Sequence, residues 1–292
     1  MVVIDDQYNG WRRLILPIAC VDDLVLNSVM AVSSFHLSGR DIGQFTAPPR
    51  VFFAQAIYEL QKRRNLNKCD LQTKQFVILA IIVLLVTVMV NGCSDFPILF
   101  HMLQSALDTI GGDSGLAGGD LADFLRREIH KMRAYGAPFI GQVAGRQVLD
   151  SQNQQSFDCL QYYGRLHADH LHLFHRIASL KQQAYLIYMR RIAPDGMAAA
   201  STNSIDRFKS DLETFTEGSL GEHTLIWAAF IAASESRVPE NRRFFAQFLM
   251  RQYRRSRFVN ISKALDLLKH IWSRNSNEDW TTLLPGPGVF IM

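Results

Sequence analysis

The densest group of residues able to do chemistry is the run HADHLHLFH, which places His167, Asp169, His170, His172 and His175 within nine positions. Four imidazoles make a zinc-ligand set if they converge on one point. On a continuous helix successive residues turn by about 100°, so these four fan over roughly 200° and share no such point. No pair has the i, i+4 spacing of a helical metalloprotease site. His172 and His175 are close enough to take a metal together with a distant carboxylate, but the preferred reading is an amphipathic helix with half-exposed histidines. We therefore expect no metal and no cofactor.

Other candidates are weaker. Gly111 to Asp120, GGDSGLAGGD, carries five glycines in nine positions. It follows a helical pattern rather than a strand and lacks Gly-Lys-Ser/Thr, so it reads as a loop and a candidate hinge, not a phosphate cradle. Cys20, Cys69, Cys93 and Cys159 lie far apart, without the paired spacing of a zinc module or a disulfide framework. There is no Gly-x-Ser-x-Gly elbow. Acids and histidines distant in sequence could still meet in space, so an enzyme stays open, though no motif points to one. Arg242, Arg243, Arg251, Arg254, Arg255 and Arg257 cluster on and after one helix, interleaved with Phe244, Phe245, Phe248 and Leu249. We rank a solvated face first, an acidic protein partner second and DNA last, because no groove-entering motif accompanies them.

The bulk properties agree. The 31 basic and 27 acidic residues are spread along the chain, so its charge of +4 does not by itself make it a nucleic-acid binder. With 48% hydrophobic residues, 292 residues can bury one large core. Residues 1–20 carry no signal-peptide pattern, which points to a cytosolic or nuclear protein. Phe76 to Val90, FVILAIIVLLVTVMV, has 15 residues, short of the roughly 20 a bilayer requires. It is expected to be a buried core helix and not a membrane span.

The elements that must position any site are helices. Asp22 should cap a helix ending at Gly39, with that glycine left-handed, and Pro48 and Pro49 open the next. Asp70 precedes the apolar helix, and Asp95 should cap a helix from Pro97 to Ile110. Further helices are expected at Leu121 to Arg133, Tyr162 to Met189, Leu220 to Ser236, Pro239 to Arg255 and Asn260 to Arg274. Val148 to Ser156 and Pro194 to Ser204 read as irregular or mobile. Strand signals are nearly absent, so the expected fold is all-α, one large helical bundle over residues 1–292 with a candidate internal hinge at 111–120.

Several segments resemble the regulatory domain that follows the zinc binuclear cluster in many fungal transcription factors. NSVMAVSSFHL from Asn27 to Leu37 and AQAIYEL from Ala54 to Leu60 are similar to its early helices. Trp227, Phe230, Ile231, Ala232 and Glu235, followed by Pro239, Arg242, Arg243 and Phe244, are similar to its signature of a Trp-led apolar helix, a Glu and an Arg-rich turn. Ile271, Trp272, Asp279, Trp280 and Leu283 resemble its closing segment. Ala228 stands where the family has Pro, and Ala233 and Ser234 where it has Gly-Cys. No six-cysteine cluster precedes these segments, so the chain is either a trimmed piece or a solitary domain.

The resemblance implies a helical bundle in a nuclear protein, usually a homodimer. It further implies that DNA is reached only through a zinc-cluster module absent from this chain. In the sterol-uptake regulators of the family it implies an apolar ligand pocket. The expected function is sensing of an apolar small molecule to control transcription; the alternatives are a biosynthetic enzyme of the same fold or a dimerisation or co-regulator module. The expected ligand-binding residues are Phe76, Leu79, Val83, Val86 and Met89 on the apolar helix, Met102 on the next, Trp227 and Phe230 on the signature helix, and Phe290 in the tail. That tail, PGPGVFIM, hangs four apolar residues on a Pro-Gly hinge and should dock in a groove or cover a pocket. Glu235 and Arg243 are expected to form a structural ion pair.

Overall fold

The computed structural model describes residues 2–39, 48–150, 158–193, 202–274, 279–286 and 288–292. Among the described residues the fold is all-α and contains no strand. A π turn at Trp11–Ile15 leads into the short α1 (Leu16–Ala19), followed by α2 (Asp23–Ser38), α3 (Pro49–Lys62), α4 (Leu71–Asn91) and α5 (Phe96–Ile110). Then come α6 (Asp120–Gly136), α7 (Gln142–Asp150), α8 (Asp158–Leu166), α9 (Leu171–Arg191) and α10 (Thr202–Glu213). The series ends with α11 (Ile226–Glu235), α12 (Pro239–Ser256) and α13 (Val259–Ser273).

Local chemistry sets most boundaries. The Asp22 carboxylate accepts the Val25 amide at 3.1 Å, and that of Asp70 accepts the Thr73 amide at 2.8 Å. Helix α4 stops at Gly92, whose φ of 65° is left-handed and whose amide donates to Val88. A side chain there would also collide with Val259, so only glycine fits.

Two boundaries depart from expectation. Gly39 ends α2 with φ −71°, in the right-handed region, so the left-handed stop is not used. Asp95 stands before α5 but caps no amide; it accepts the Cys93 thiol at 3.3 Å instead. Pro97 in the first turn already removes one amide that would need a cap.

Other expectations are redrawn by tertiary context. The helix expected from Tyr162 to Met189 is two, α8 and α9, broken by a 3-10 turn at Ala168–His170. The segment expected to be irregular from Val148 is helical to Asp150, while 151–157 lie outside the described residues. Of Pro194 to Ser204, residues 194–201 also lie outside them, and 202–204 begin α10. The helix expected from Leu220 is regular only from Ile226, after a 3-10 turn at Glu222–Leu225.

Two helices act as hubs because they are apolar on every face and therefore need neighbours on every face. All fifteen residues Phe76 to Val90 of α4 are buried, and α2, α5, α6 and α13 enclose it. By length and composition α4 could cross a membrane, but 89% of its most apolar window lies inside the protein. All ten residues of α11 are buried too, among α9, α10, α12 and α13. Four alanines in α11 let these neighbours approach closely. Helix α13 touches both hubs, and the buried apolar side chains form one connected cluster from Val3 to Ile291.

The glycine-rich segment is fastened to this core. It forms a 3-10 turn at Gly112–Leu116, with Leu116 fully buried and its carbonyl accepting from Gln75 at 2.8 Å. Asp113 meets His130 at 2.7 Å and Arg133 at 3.3 Å, both on α6. The His130 hydrogen bond holds its carboxyl below the usual range.

Candidate functional site

The closing segment and the Arg-rich turn are structural. Glu235, buried at the end of α11, accepts from Arg191 at 2.8 and 3.0 Å and from the Trp280 indole at 2.7 Å. Its ionic partner is therefore Arg191 on α9, not Arg243, which is exposed. One position earlier in the Arg-rich stretch, Arg242 donates to the Ser236 and Trp272 carbonyls at 2.9 and 3.4 Å. It thus ties the end of α11 to the end of α13. Arg251 and Arg255 both meet Glu222, which is completely buried, at 2.8 Å. Half of the arginine cluster is thus committed to internal carbonyls and a buried carboxylate.

The histidine run does not lie on one helix. His167 sits before the break between α8 and α9, stacked on Phe174 and 3.5 Å from Asp6. His172 and His175 are exposed on α9. The fan over a single helix therefore does not describe these side chains. Among the described residues no group of three or more His, Cys, Asp or Glu side chains could hold a metal ion.

A cavity of about 290 Å³ lies between the two hubs. Helix α6 contributes Lys131 and Tyr135 to its wall, one turn apart and so on one face. Cys159, Leu160 and Tyr163 come from α8, Lys181 from α9, Ile226 from α11 and Gln252 from α12. Met89 reaches it from α4, and Phe258 closes one side. Val2, Val3 and Met292 line it as well, so segments near both ends of the sequence meet at one place. The Val2 carbonyl faces His223 Nε2 at 2.8 Å. Burial pushes that imidazole down to about 4, so the ring is neutral and its N–H donates to the carbonyl.

The cavity has a polar end. Lys131 is ion-paired with Glu128 at 2.6 Å, both buried. Lys181 is 4% exposed, and its Nζ lies 5.1 Å from the centre of the Tyr135 ring. Among the described residues no carboxylate meets it. Burial, with Lys131 adding repulsion, pushes Lys181 from its ordinary 10.5 down to about 8. Among the described residues the Tyr135 hydroxyl and Gln252 Nε2 are buried without a hydrogen-bonding partner. Burial raises the Tyr135 phenol well above its ordinary value and the Cys159 thiol above its own, so both keep their protons.

The expected ligand residues do not all meet there. Met89 lines the cavity, alongside Met292 of the tail. Trp227 stands behind the wall, its ring 5.2 Å from Tyr135. Phe76, Leu79, Val83 and Val86 are buried in the packing around α4. Phe230 packs on Phe139, and Met102 lines a separate surface groove of about 580 Å³ beside α3 and α5. Phe290 stacks on Phe96 at 4.6 Å, and Asn260 donates to its carbonyl at 2.9 Å. The tail is thus docked, with Val289, Phe290 and Ile291 buried.

The polar wall residues escaped sequence reasoning although the pattern holds their signal. Ile177, Lys181, Ala184 and Tyr188 recur at core spacing on α9, as do Phe124, Glu128, Lys131 and Tyr135 on α6, and all eight are buried. A lysine within an apolar stripe was the clue. What the stripe could not reveal is that one lysine has a carboxylate partner and the other has none.

No curated protein and no solved structure matches the chain. A family model does, over residues 1–133 and 145–292, nearly its whole length, and with the helical fold and the buried Glu235 of the signature in place the chain belongs to the family of the fungal-specific transcription factor domain.

Proposed function

We propose that this domain regulates transcription in response to a small molecule bound in the cavity between α4, α6, α8, α9, α11 and α12. Its family gives it a transcription-regulatory role and agrees with a nuclear location. The ligand reading rests on one observation: Lys181, Tyr135 and Gln252 line one cavity, and among the described residues no carboxylate pairs with the Lys181 ammonium and no group hydrogen-bonds the Tyr135 hydroxyl or Gln252 Nε2. Buried polar groups are rarely left unpaired, and a bound molecule is one way to pair them. The remaining wall, with Met89, Leu160, Ile226, Phe258 and Met292, offers apolar surface to the rest of that molecule.

Binding can shift a conformational equilibrium only if the ligand contacts differ between two states. Val2, Val3 and Met292 supply such a difference, because they belong to segments that reach the cavity from outside the helical frame. The test is a reporter driven by this chain fused to a heterologous DNA-binding module, with Ile226→Trp to fill the cavity. The filled variant should hold output constant across growth conditions under which the unmodified fusion varies. A variant that folds, by thermal unfolding, and responds like the unmodified fusion refutes the reading.

A further inference from the structure

Resting on that reading of the cavity, the geometry points to the chemical class of the ligand. We propose that it is a compact monoanion, a carboxylate on a short apolar body, with its head among Lys181, Tyr135 and Gln252. All three groups offer protons. Lysine has only donors, the amide nitrogen of glutamine only donors, and the tyrosine keeps its hydroxyl proton. A site that offers an ammonium, a phenol proton and an amide N–H fits an acceptor-only head group, which an ionised carboxylate is.

Charge counting sets the number of negative charges. Lys131 and Glu128 neutralise each other, His223 is neutral, and Glu222 is answered by Arg251 and Arg255 at the edge. The ammonium of Lys181 remains as one buried positive charge without a counter-ion. One negative charge balances it; the second surplus charge, left where Arg251 and Arg255 share the single carboxylate of Glu222, lies on side chains 32% and 44% exposed, where solvent screens it. The size follows from the volume. At about 30 Å³ per water-sized group, 290 Å³ holds roughly ten non-hydrogen atoms. A head of three atoms leaves room for an apolar body of six to eight, along Met89, Leu160, Ile226, Phe258 and Met292.

The experiment titrates the purified full chain at pH 7 with four probes of equal chain length: octanoate, octyl phosphate, octanol and octylamine. Octanoate should bind at least about tenfold tighter than octanol, as expected of a hydrogen bond to a charged group, and octylamine should not bind. Lys181→Met should remove that tenfold advantage and leave octanol binding unchanged. Tyr135→Phe should weaken octanoate by a smaller factor and guards against a Lys181 variant that fails to fold. Octanol equal to octanoate, or octanoate indifferent to both substitutions, overturns the anion assignment while the pocket stands. Octyl phosphate binding more tightly than octanoate overturns the single-charge count. Binding by none of the four overturns the pocket reading together with the assignment.

Discussion

Replacing Lys181 by Met should stabilise the fold, which is unusual for a substitution at a buried position. In the folded chain the ammonium lies near Lys131, Tyr135 and Cys159, with Glu128 engaged by Lys131, so among the described residues no carboxylate offsets its desolvation. Its titration falls from 10.5 in the unfolded chain to about 8 in the fold. Between these two values the unfolded chain holds more protons than the folded one, so stability rises with pH across that window. Below about pH 8 the full cost is present, roughly 3 kcal/mol at pH 7. Methionine has a stem of similar length and no charge, so Lys181→Met removes this cost.

At about 2 °C per kcal/mol for a chain of this size, the variant should melt roughly 6 °C higher at pH 7. The assay is thermal unfolding of both proteins at several pH values, read as the difference between them. Ionisation of Tyr135 and Tyr163, common to both, cancels in that difference. The gap should be constant below pH 8 and close as pH rises toward 10.5. A variant that melts at or below the parent at pH 7, or a gap that does not narrow by pH 10, refutes the reasoning. The parent would then have to carry a counter-charge that the fold does not show.

The neighbouring lysine should behave oppositely: Lys131→Met strands buried Glu128 and should cost about 3–5 kcal/mol, measured by denaturant unfolding at pH 7. At Glu222 the asymmetry lies in exposure. Arg251→Gln combined with Arg255→Gln leaves a fully buried carboxylate without a counter-ion, held only by the Gly218 amide, and should destabilise more than Glu222→Gln, which frees two arginines able to reach water; equal losses would contradict this. Phe290→Ala empties a fully buried, ring-stacked position and should cost about 3–5 kcal/mol; a loss below 1 kcal/mol would mean the tail is not docked in solution. The chain alone should show no sequence-selective DNA binding in a gel-shift assay at physiological salt, because three of its six clustered arginines are bound internally; selective submicromolar binding would oppose that view.

The sequence by itself determined the fold class and the first of the two hubs. A run as apolar as Phe76 to Val90 has no polar face to turn to water, so it could only be enclosed. Asp22 and Asp70 marked helix starts through chemistry that acts within three residues. The signature residues carried the family, and the apolar tail had to dock somewhere. Pairings between distant residues could not be read in the same way, because each depends on which helices become neighbours. Glu235 looks as though it should meet the arginine eight positions on, but α12 turns Arg243 outward while α9 delivers Arg191. The histidine run looked like one helix because periodicity does not reveal a 3-10 break set by packing.

The cavity is the clearest case. Lys131 and Lys181 are the same residue in similar stripes, and only the tertiary structure decides that Glu128, one turn away, cancels one charge while the other faces an empty volume. Local patterns report which side chains are buried, through hydrophobic periodicity. Whether a buried charge is satisfied is a property of the space it faces, which only the assembled helices define.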